Sequence, residues 1–206
     1  MEQMKELLVK EVNSAKEALF NHGVVAFPTE TVMGLGVVFN DEVAYSKLNK
    51  VKERPEDKPY TLMLKDKADI NKYAVINEAT QRVIDRFIPG SLTILVPVKQ
   101  YAVPSYVTHN THVIGMRVPT NVEALTLLHA VDTPLLVPSA NKSGNRPALT
   151  SDEVYEIFGN DIDYIILGKA KSQIASTIVN LTGDQPKVVG KGPISEEEIV
   201  KVFNNY

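Results

Sequence analysis

The sequence contains no cysteine among its 206 residues. This absence excludes disulfide bonds, thiolate catalysis and cysteine-ligated metal sites. It also contains no run of about eighteen apolar residues, so no membrane-spanning helix is predicted. The N-terminal stretch "MEQMKELLVKEVNSAKEALFNHG" is amphipathic and contains acidic residues, and it lacks the apolar segment of a secretory signal peptide. Together these absences predict a cytoplasmic protein.

The chain also has no excess of positive charge. The chain has 22 lysines and arginines against 25 aspartates and glutamates, a formal net charge of −3. This balance argues against a protein that coats nucleic acid by charge alone, but it leaves a local basic site open. A hydrophobic fraction of 44% and a charged fraction of 23% are typical of a globular protein. The length suits one domain, which we predict to span residues 1–206.

Helical and strand-like hydrophobic patterns occur in turn along the chain, which predicts an α/β fold with helices covering a mostly buried sheet. The Thr150/Glu153 and Ser195/Glu198 pairs each fit a capping box at the start of a helix. The other predicted helices cover residues 4–21, 41–48, 77–87 and 121–131. The predicted strands cover residues 24–28, 60–64, 91–98, 113–119, 163–167, 176–181 and 186–190.

The stretch "FPTETVMGLG" (27–36) follows an apolar strand with two threonines, a glutamate and two glycines. Thr29 and Thr31 would lie on one face of an extended segment. Glycine permits a ligand to approach the backbone closely. From these residues alone, a strand followed by a glycine-bearing turn is the simpler interpretation. The segment lacks the third glycine of a dinucleotide-binding fingerprint.

The stretch "KLNKVKERPEDKP" (47–59) concentrates positive charge, with five basic and three acidic residues. Pro55 disfavours helix at Arg54, so we expect Lys52 and Arg54 to emerge on the same side of an extended chain. Such a pair can neutralise phosphate, because arginine presents a planar fork of donors. A solvated charged loop is the alternative interpretation.

The stretch "LLVPSANKSGNRP" (135–147) runs from an apolar strand into small polar residues. In extended chain Ser139 and Asn141 would project together, which suits a ligand-binding pair. A turn explains residues 141–147 without a ligand. Because Ser139 still belongs to the strand, the turn explains it less well.

Arg117 interrupts the apolar strand "VIGMRVP", and a buried arginine needs either a structural carboxylate or an anionic ligand.

The remaining candidates are weaker. Ser176 at the start of "STIVNL" is ordinary by itself. The spacing of His109 and His112 could place two zinc ligands together on a helix, but no helix is predicted there, so we expect a surface loop. No phosphate-binding P-loop, nucleophile elbow or Ser-His-Asp order occurs.

Together, the ordered segments "PTETVMGLG", "KVKERPEDKP", "PGSLTILVP", "GMRVP", "PSANKSG" and "STIVNLTG" resemble the YrdC-like family of threonylcarbamoyl-AMP synthases. The resemblance spans about residues 10–195, and the K-x-R and S-x-N pairs match the family's signature. It implies a single-domain twisted α/β sheet, mixed and flanked by helices, with a deep, positively lined cavity. Longer relatives carry an additional C-terminal domain, which we do not expect here.

The resemblance also implies a reaction. Such enzymes combine L-threonine, bicarbonate or CO2, and ATP into threonylcarbamoyl-AMP and release pyrophosphate. A downstream complex then transfers the threonylcarbamoyl group to the adenosine beside the anticodon of tRNA. ATP is therefore expected as a substrate, with Mg2+ held chiefly by its phosphates. No protein metal site is expected.

The resemblance assigns roles to individual residues. The catalytic set consists of the two signature pairs, Lys52 with Arg54 and Ser139 with Asn141. These four would contact ATP, joined by Lys58 and by Lys191. The threonine and carbamate pocket would consist of Thr29, Thr31, Arg117 and Ser176.

The sequence departs from the family at Met33, Tyr60 and Lys191, where relatives usually carry tyrosine, an aliphatic residue and arginine respectively.

Three other functions stay open. The chain could be a module that binds tRNA or double-stranded RNA, or a paralogue without synthase activity. It could also resemble the carbamoyl-adenylate domain of hydrogenase maturation, although it has no zinc-finger cysteines.

Overall fold

The computed structural model describes residues 2–55 and 59–205, and within these it contains a nine-stranded sheet with helices on both faces. The sheet order is β7-β1-β2-β6-β3-β5-β4-β8-β9. The strands are β1 (Val25–Phe27), β2 (Gly34–Val38), β3 (Thr61–Met63), β4 (Leu92–Pro97), β5 (Val113–Arg117), β6 (Leu135–Leu136), β7 (Tyr164–Ile165), β8 (Thr177–Asn180) and β9 (Lys187–Gly190).

The sheet is mixed. Strand β1 pairs in parallel with β7, β3 with β5, and β4 with β8, while the remaining neighbours are antiparallel. The predicted α/β class with a mixed sheet flanked by helices is therefore confirmed. The neighbours β3 and β5, and β4 and β8, are far apart in sequence, so local patterns could not have predicted these pairings.

Most of the α-helices begin at a capping side chain. Both halves of the predicted capping box form at Ser195 and Glu198. At Thr150 only half of it forms, because the Glu153 carboxylate accepts from the Leu149 backbone instead. The helices are α1 (Glu2–Phe20), α2 (Glu42–Lys52), α3 (Ile70–Tyr73), α4 (Glu78–Phe87), α5 (Ser105–Thr108), α6 (Val122–Val131), α7 (Ser151–Phe158) and α8 (Glu196–Asn204).

The sheet separates two hydrophobic clusters. Side chains from α2, α4, α7 and α8 form the larger cluster, and those from α1 and α6 form the smaller one on the other face. Alternation along the strands divides their residues: Leu62 joins the larger cluster and Met63 the smaller, while Leu136 and Leu135 divide in the same way. The sheet is therefore buried on both faces over its middle strands.

One predicted boundary is wrong in a way that affects the site. Helix α2 continues to Lys52, beyond the predicted end at Leu48. It ends where Glu53 adopts a left-handed conformation, with φ of 50°, and donates its N–H back to the helix. Lys52 and Arg54 therefore do not leave one extended chain on the same side, as the sequence suggested. Lys52 closes a helix, and Arg54 follows the turn.

Within the described part of the chain, no helix combines the length and the apolar character that crossing a membrane requires.

Candidate active site

A cavity of about 230 Å³ lies beside the strands β3, β5, β4 and β8. Thr93 lies between two strand residues, Leu92 and Ile94, of the larger cluster, so its side chain points to the sheet face that α1 and α6 cover in part. Five predicted site residues line the cavity: Thr31, Arg54, Arg117, Ser139 and Ser176. The other lining residues are Val32, Pro59, Tyr60, Thr61, Thr93, Val137, Pro138, Ala175 and Ile178.

The loop between β1 and β2 contributes the two threonines. The Thr29 hydroxyl donates to the Val32 carbonyl at 2.7 Å and accepts from the Thr31 backbone N–H at 3.1 Å. It also lies 3.0 Å from the Thr31 hydroxyl. Thr29 is buried and does not line the cavity, whereas Thr31 does. The structure therefore places Thr29 where it shapes the turn that presents Thr31.

Arg117 ends β5 with a buried side chain that has a carboxylate partner. Its Nη2 donates to Glu30 Oε1 at 2.7 Å and to the Thr31 hydroxyl at 2.9 Å. Both side chains of the ion pair are only 8% exposed. The sequence left a structural carboxylate and an anionic ligand as equal alternatives for Arg117. The structure supplies the carboxylate and also places Arg117 in the cavity wall.

Sequence reasoning missed Glu30 as a member of this site. Two signals could have pointed to it: it lies between the two threonines of "PTET", and Arg117 needed a counter-charge. Among the described residues, Glu30 Oε2 and Arg117 Nε are buried without a hydrogen-bond partner. A single oxygen of Glu30 therefore holds the guanidinium.

Lys52 is buried, with a side chain that contacts backbone. Its Nζ donates to the Ser139 and Asn141 carbonyls, each at 2.6 Å, and it does not line the cavity. Burial of the ammonium, reinforced by the charge of Arg54, lowers the pKa of Lys52 to about 7. The two carbonyl acceptors favour the charged form and oppose that effect. Lys52 thus ties the end of α2 to the S-x-N segment across the cavity's edge.

Ser139 and Asn141 do lie together, but through a turn. The Asn141 N–H donates to the Ser139 carbonyl at 3.0 Å, and the Ser139 hydroxyl donates to Asn141 Oδ1 at 2.5 Å. Ser139 also forms an isolated bridge with Gly34, beyond the end of β6. Ser139 lines the cavity and Asn141 does not, so Asn141 orients the serine from behind.

Arg54 reaches the cavity wall from the turn after α2. Its Nη2 donates to the Pro59 carbonyl at 2.8 Å, and its Cζ lies 4.3 Å from the centre of the Tyr60 ring. Ser176 enters from the other side of the cavity, where its hydroxyl lies 2.9 Å from that of Thr93. The structure therefore brings Arg54 and Arg117, from two distant segments, into the wall of one cavity. Thr31, Ser139 and Ser176 line the same cavity.

The remaining predicted residues lie elsewhere. Lys58 is outside the described residues. Lys191 is exposed and does not line the cavity. His109 ends the short helix α5 in a left-handed conformation, and its Nε2 lies 3.2 Å from the Tyr45 hydroxyl. No group of three aspartate, glutamate or histidine side chains that could hold a metal ion occurs in residues 2–55 and 59–205.

This arrangement suits a small anionic or zwitterionic ligand better than nucleophilic catalysis by the protein. Two guanidinium groups supply strong, directional donors for carboxylate or phosphate. Hydroxyls of Thr31, Ser139 and Ser176 add neutral donors and acceptors. The walls can therefore bind and orient reactants and stabilise developing negative charge.

A protein-family model matches the chain over residues 17–192; the model is named Sua5_yciO_yrdC and described as "Telomere recombination". The threonylcarbamoyl-AMP synthase of Pyrococcus abyssi is 35% identical over 182 residues, which cover 87% of this chain and 53% of that protein. A protein of Methanocaldococcus jannaschii, described as a putative threonylcarbamoyl-AMP synthase, is 31% identical over 90% of this chain and 87% of its own length.

The fold agrees with these matches. The crystal structure of P. abyssi Sua5 complexed with L-threonine superposes with a TM-score of 0.88 and 33% identity. The superposition covers 93% of this chain and 56% of that one. The chain thus spans about half the length of the P. abyssi protein and most of the length of the M. jannaschii protein.

Proposed function

The chain belongs to the Sua5/YciO/YrdC family, and from that premise we propose that it synthesises L-threonylcarbamoyl-AMP. The substrates are L-threonine, bicarbonate or CO2, and ATP, and the second product is pyrophosphate. The observation that carries the proposal is the convergence of Thr31, Arg54, Arg117, Ser139 and Ser176 on one cavity. Similarity to P. abyssi Sua5, whose structure contains L-threonine, supports the choice of amino acid.

The chemistry requires no protein nucleophile. The neutral amine of threonine forms an N–C bond to CO2 while one C–O π bond opens, and a proton of the amine passes to water, which gives a carbamate. A carbamate oxygen then attacks the α-phosphorus of ATP, and the bond from that phosphorus to the oxygen of the β-phosphate breaks as pyrophosphate leaves. A cavity of arginines and hydroxyls accelerates such steps by holding the reactants together and by stabilising charge on the phosphate oxygens.

The two arginines divide the substrates between them. Arg117 binds the threonine carboxylate, while Thr31 and Ser176 contact the rest of the amino acid and its carbamate. Arg54 binds phosphate oxygens of ATP, and Ser139 contacts the nucleotide near the reacting phosphorus. A charge-assisted hydrogen bond of this kind contributes ~1.5–3 kcal/mol. Each contact is therefore worth about ten- to a hundredfold in affinity or rate.

The other predicted residues act less directly. Lys52 holds the Ser139–Asn141 turn through two carbonyls and adds positive charge near the phosphates. Thr29 supports Thr31, and Asn141 supports Ser139. Contacts from Lys58 and Lys191 to ATP remain part of the proposal, and both depend on ATP extending beyond the cavity.

The cavity's size supports a division between its interior and its rim. At about 230 Å³ it is smaller than the ~300–1,000 Å³ pockets that bury drug-sized ligands. It suits threonine with the reacting phosphate, so the adenosine would lie towards the rim. Mg2+ would be held by phosphate oxygens, because Glu30, which lies behind the wall residue Arg117, is already paired with that arginine.

The product would supply a downstream complex that transfers the threonylcarbamoyl group to tRNA in the cytoplasm. Direct binding of tRNA or double-stranded RNA is not required for the synthase step. A net charge of −3 gives no general electrostatic attraction to RNA.

The test is pyrophosphate release from ATP and bicarbonate, with and without L-threonine, and with L-serine as the comparison. We expect release that depends on both threonine and bicarbonate. Ser139→Ala should lower the rate roughly ten- to a hundredfold. Ser143→Ala is the matched control, because Ser143 lies nearby in the sequence but outside the cavity wall.

Two results would contradict the proposal. A folded wild-type protein that binds ATP but releases no pyrophosphate would not be a synthase, and salt-sensitive tRNA binding by that protein would favour an RNA-binding function. Full activity of Ser139→Ala would remove Ser139 from the mechanism.

A further inference from the structure

Arg54 lies against an aromatic ring as well as in the cavity wall. Its guanidinium carbon is 4.3 Å from the centroid of the Tyr60 ring, well within the ~6 Å range of a cation–π interaction. Its Nη2 also donates to the carbonyl of Pro59, the residue before Tyr60. Pro59 and Tyr60, which make these two contacts, directly precede β3. The guanidinium is therefore held against the start of that strand.

The Tyr60 ring is itself fixed. It is only 2% exposed, and its hydroxyl donates to Asn49 Oδ1 on α2 at 2.6 Å. The rings of Tyr60 and Tyr45 form an edge-to-face pair, with a centroid distance of 5.6 Å and an interplanar angle of 84°. Burial raises the pKa of the Tyr60 hydroxyl well above its ordinary value, so the hydroxyl stays a donor even in alkaline solution. The ring is therefore held by α2 at both its hydroxyl and its edge.

From these contacts we infer that Tyr60 is a positioning residue, which holds the Arg54 guanidinium in the orientation that binds phosphate oxygens of the nucleotide. This inference rests on the proposed function. The cation–π contact uses the charge of the guanidinium and not its N–H donors, whereas phosphate binds those donors. The two contacts are therefore compatible at the same time, and the ring reduces the rotamer freedom that phosphate binding would otherwise have to remove.

The contrast with Arg117 supports this role. Glu30 holds Arg117 by a carboxylate that brings a negative charge to the same guanidinium. Tyr60 brings none, so this contact orients Arg54 without weakening its attraction for an anion. A carboxylate in the place of Tyr60 would compete with phosphate, and an aliphatic side chain would give no directional contact.

The test compares Tyr60→Leu with Tyr60→Phe in the full chain. The first readout is the proton chemical shift of the Arg54 Nε–H group in the ligand-free protein, assigned with Arg54→Lys. The ring should shield this group in wild type and in Tyr60→Phe, and the shift should move towards the random-coil value in Tyr60→Leu. The phenylalanine variant is the matched control, because it keeps the ring and loses only the hydrogen bond to Asn49.

The second readout is steady-state pyrophosphate release. We expect Tyr60→Leu to raise KM for ATP about 3- to 10-fold, as the strength of a cation–π contact implies. KM for L-threonine should stay within about twofold, because Arg117 is held by Glu30 and Thr31. Tyr60→Phe should restore KM for ATP to within about twofold of wild type.

The outcomes separate the inference from the proposed function. An unshielded Arg54 Nε–H in wild type overturns the positioning role, and this readout needs no folded leucine variant. Shielding in wild type without pyrophosphate release leaves the contact in place and contradicts the proposed function alone. Threonine-dependent release with an unchanged KM for ATP in a folded Tyr60→Leu variant overturns the inference alone.

Discussion

Lys52 and Arg54 are two residues apart, yet they lie in different surroundings. Lys52 is 1% exposed and binds two backbone carbonyls, whereas Arg54 follows a left-handed turn and lines the cavity. Replacement of either removes one positive charge, but only the loss of Lys52 also leaves two buried carbonyls without their donor. We therefore expect Lys52→Ala to lower stability as well as activity, and Arg54→Ala to affect mainly activity.

The buried charge of Lys52 makes the stability of the protein depend on pH. The native pKa is about 7 and that of an ordinary lysine 10.5, so between these values the unfolded chain binds more protons than the native one. The free energy of unfolding should therefore rise with pH in this window, by about 1.4 kcal/mol per pH unit at most from this residue. Below about pH 7 both states bind this proton, so the dependence flattens and the full cost of burying the charge is present.

Urea unfolding at pH 7, 8 and 9 tests this expectation against Lys52→Met, which keeps the length of the side chain without its charge. The free energy of unfolding of wild type minus that of Lys52→Met should increase from pH 7 to pH 9. Parallel pH profiles for the two proteins would show that Lys52 keeps its proton throughout and that the two carbonyls outweigh its burial.

The Glu30–Arg117 pair provides a second prediction. Glu30→Gln leaves Arg117 buried and without its counter-charge, and removal of one partner from a buried ion pair typically costs about 3–5 kcal/mol. The matched control is Glu197→Gln, which removes one partner of an exposed pair with Lys201 and should change stability by less than about 1 kcal/mol. Chemical denaturation measures both. Equal, small effects would show that Arg117 does not depend on Glu30.

At the scale of elements, the segment after β9 fixes the start of β8. A Cβ atom on Gly192 would lie 2.2 Å from the Thr177 nitrogen and 2.6 Å from the Ser176 carbonyl carbon. Both are backbone atoms that cannot turn away. The Thr177 hydroxyl adds to this contact, because it exchanges hydrogen bonds with the Ile194 backbone in both directions. The close approach therefore sets the position of Ser176 in the cavity wall.

Gly192→Ala should push the two segments apart. We expect a loss of at least about 1–3 kcal/mol in the free energy of unfolding, and weaker L-threonine binding because Ser176 moves. Gly183→Ala is the control, since the nearest atom to its added Cβ would be 3.9 Å away. Calorimetric titration with L-threonine and urea unfolding would measure the two effects. If Gly192→Ala were as stable as wild type, the segments around Gly192 and Thr177 could separate without cost.

The sequence predicted local elements better than their ends. The capping box at Ser195 depends on residues that lie within one turn of each other, and it forms. The end of α2 depends on Glu53, which takes a left-handed conformation that favours glycine or asparagine. No residue-type rule identifies a glutamate there, so the predicted helix was too short and Lys52 was placed in a loop.

At the scale of the whole molecule, the site depends on contacts that no local pattern contains. The partners of Lys52 lie 87 and 89 residues away, and Glu30 lies 87 residues from Arg117. The family's motifs identified five residues that the structure brings to one cavity. Residues that are distant in sequence can be identified in this way because a family motif belongs to proteins that share one fold. They did not separate the residues that line the cavity from Lys52, Thr29 and Asn141, which support them.

Because the cavity takes residues from position 31 to position 178, ligand binding should stabilise the whole fold. Any opening that separates β3, β5 or β8 destroys the site, so we expect L-threonine, the proposed substrate, to bind the native state and not partly open ones. At a hundred times its Kd a ligand adds about 2.7 kcal/mol. For a protein of this length, this raises Tm by roughly 5–10 °C. Differential scanning fluorimetry would measure the shift.

L-Valine is the matched ligand control, because it has the size of threonine but lacks the hydroxyl. A site with hydroxyls at Thr31 and Ser176 should bind valine more weakly, since the hydrogen bonds that the threonine hydroxyl adds there would be missing. Arg117→Lys should abolish most of the shift with threonine, because a lysine cannot reproduce the planar fork. Equal shifts with valine and threonine would mean that the cavity recognises only the amino-acid backbone. The hydroxyls that converge from β8 and from the β1–β2 loop would then serve the architecture of the sheet rather than the choice of substrate.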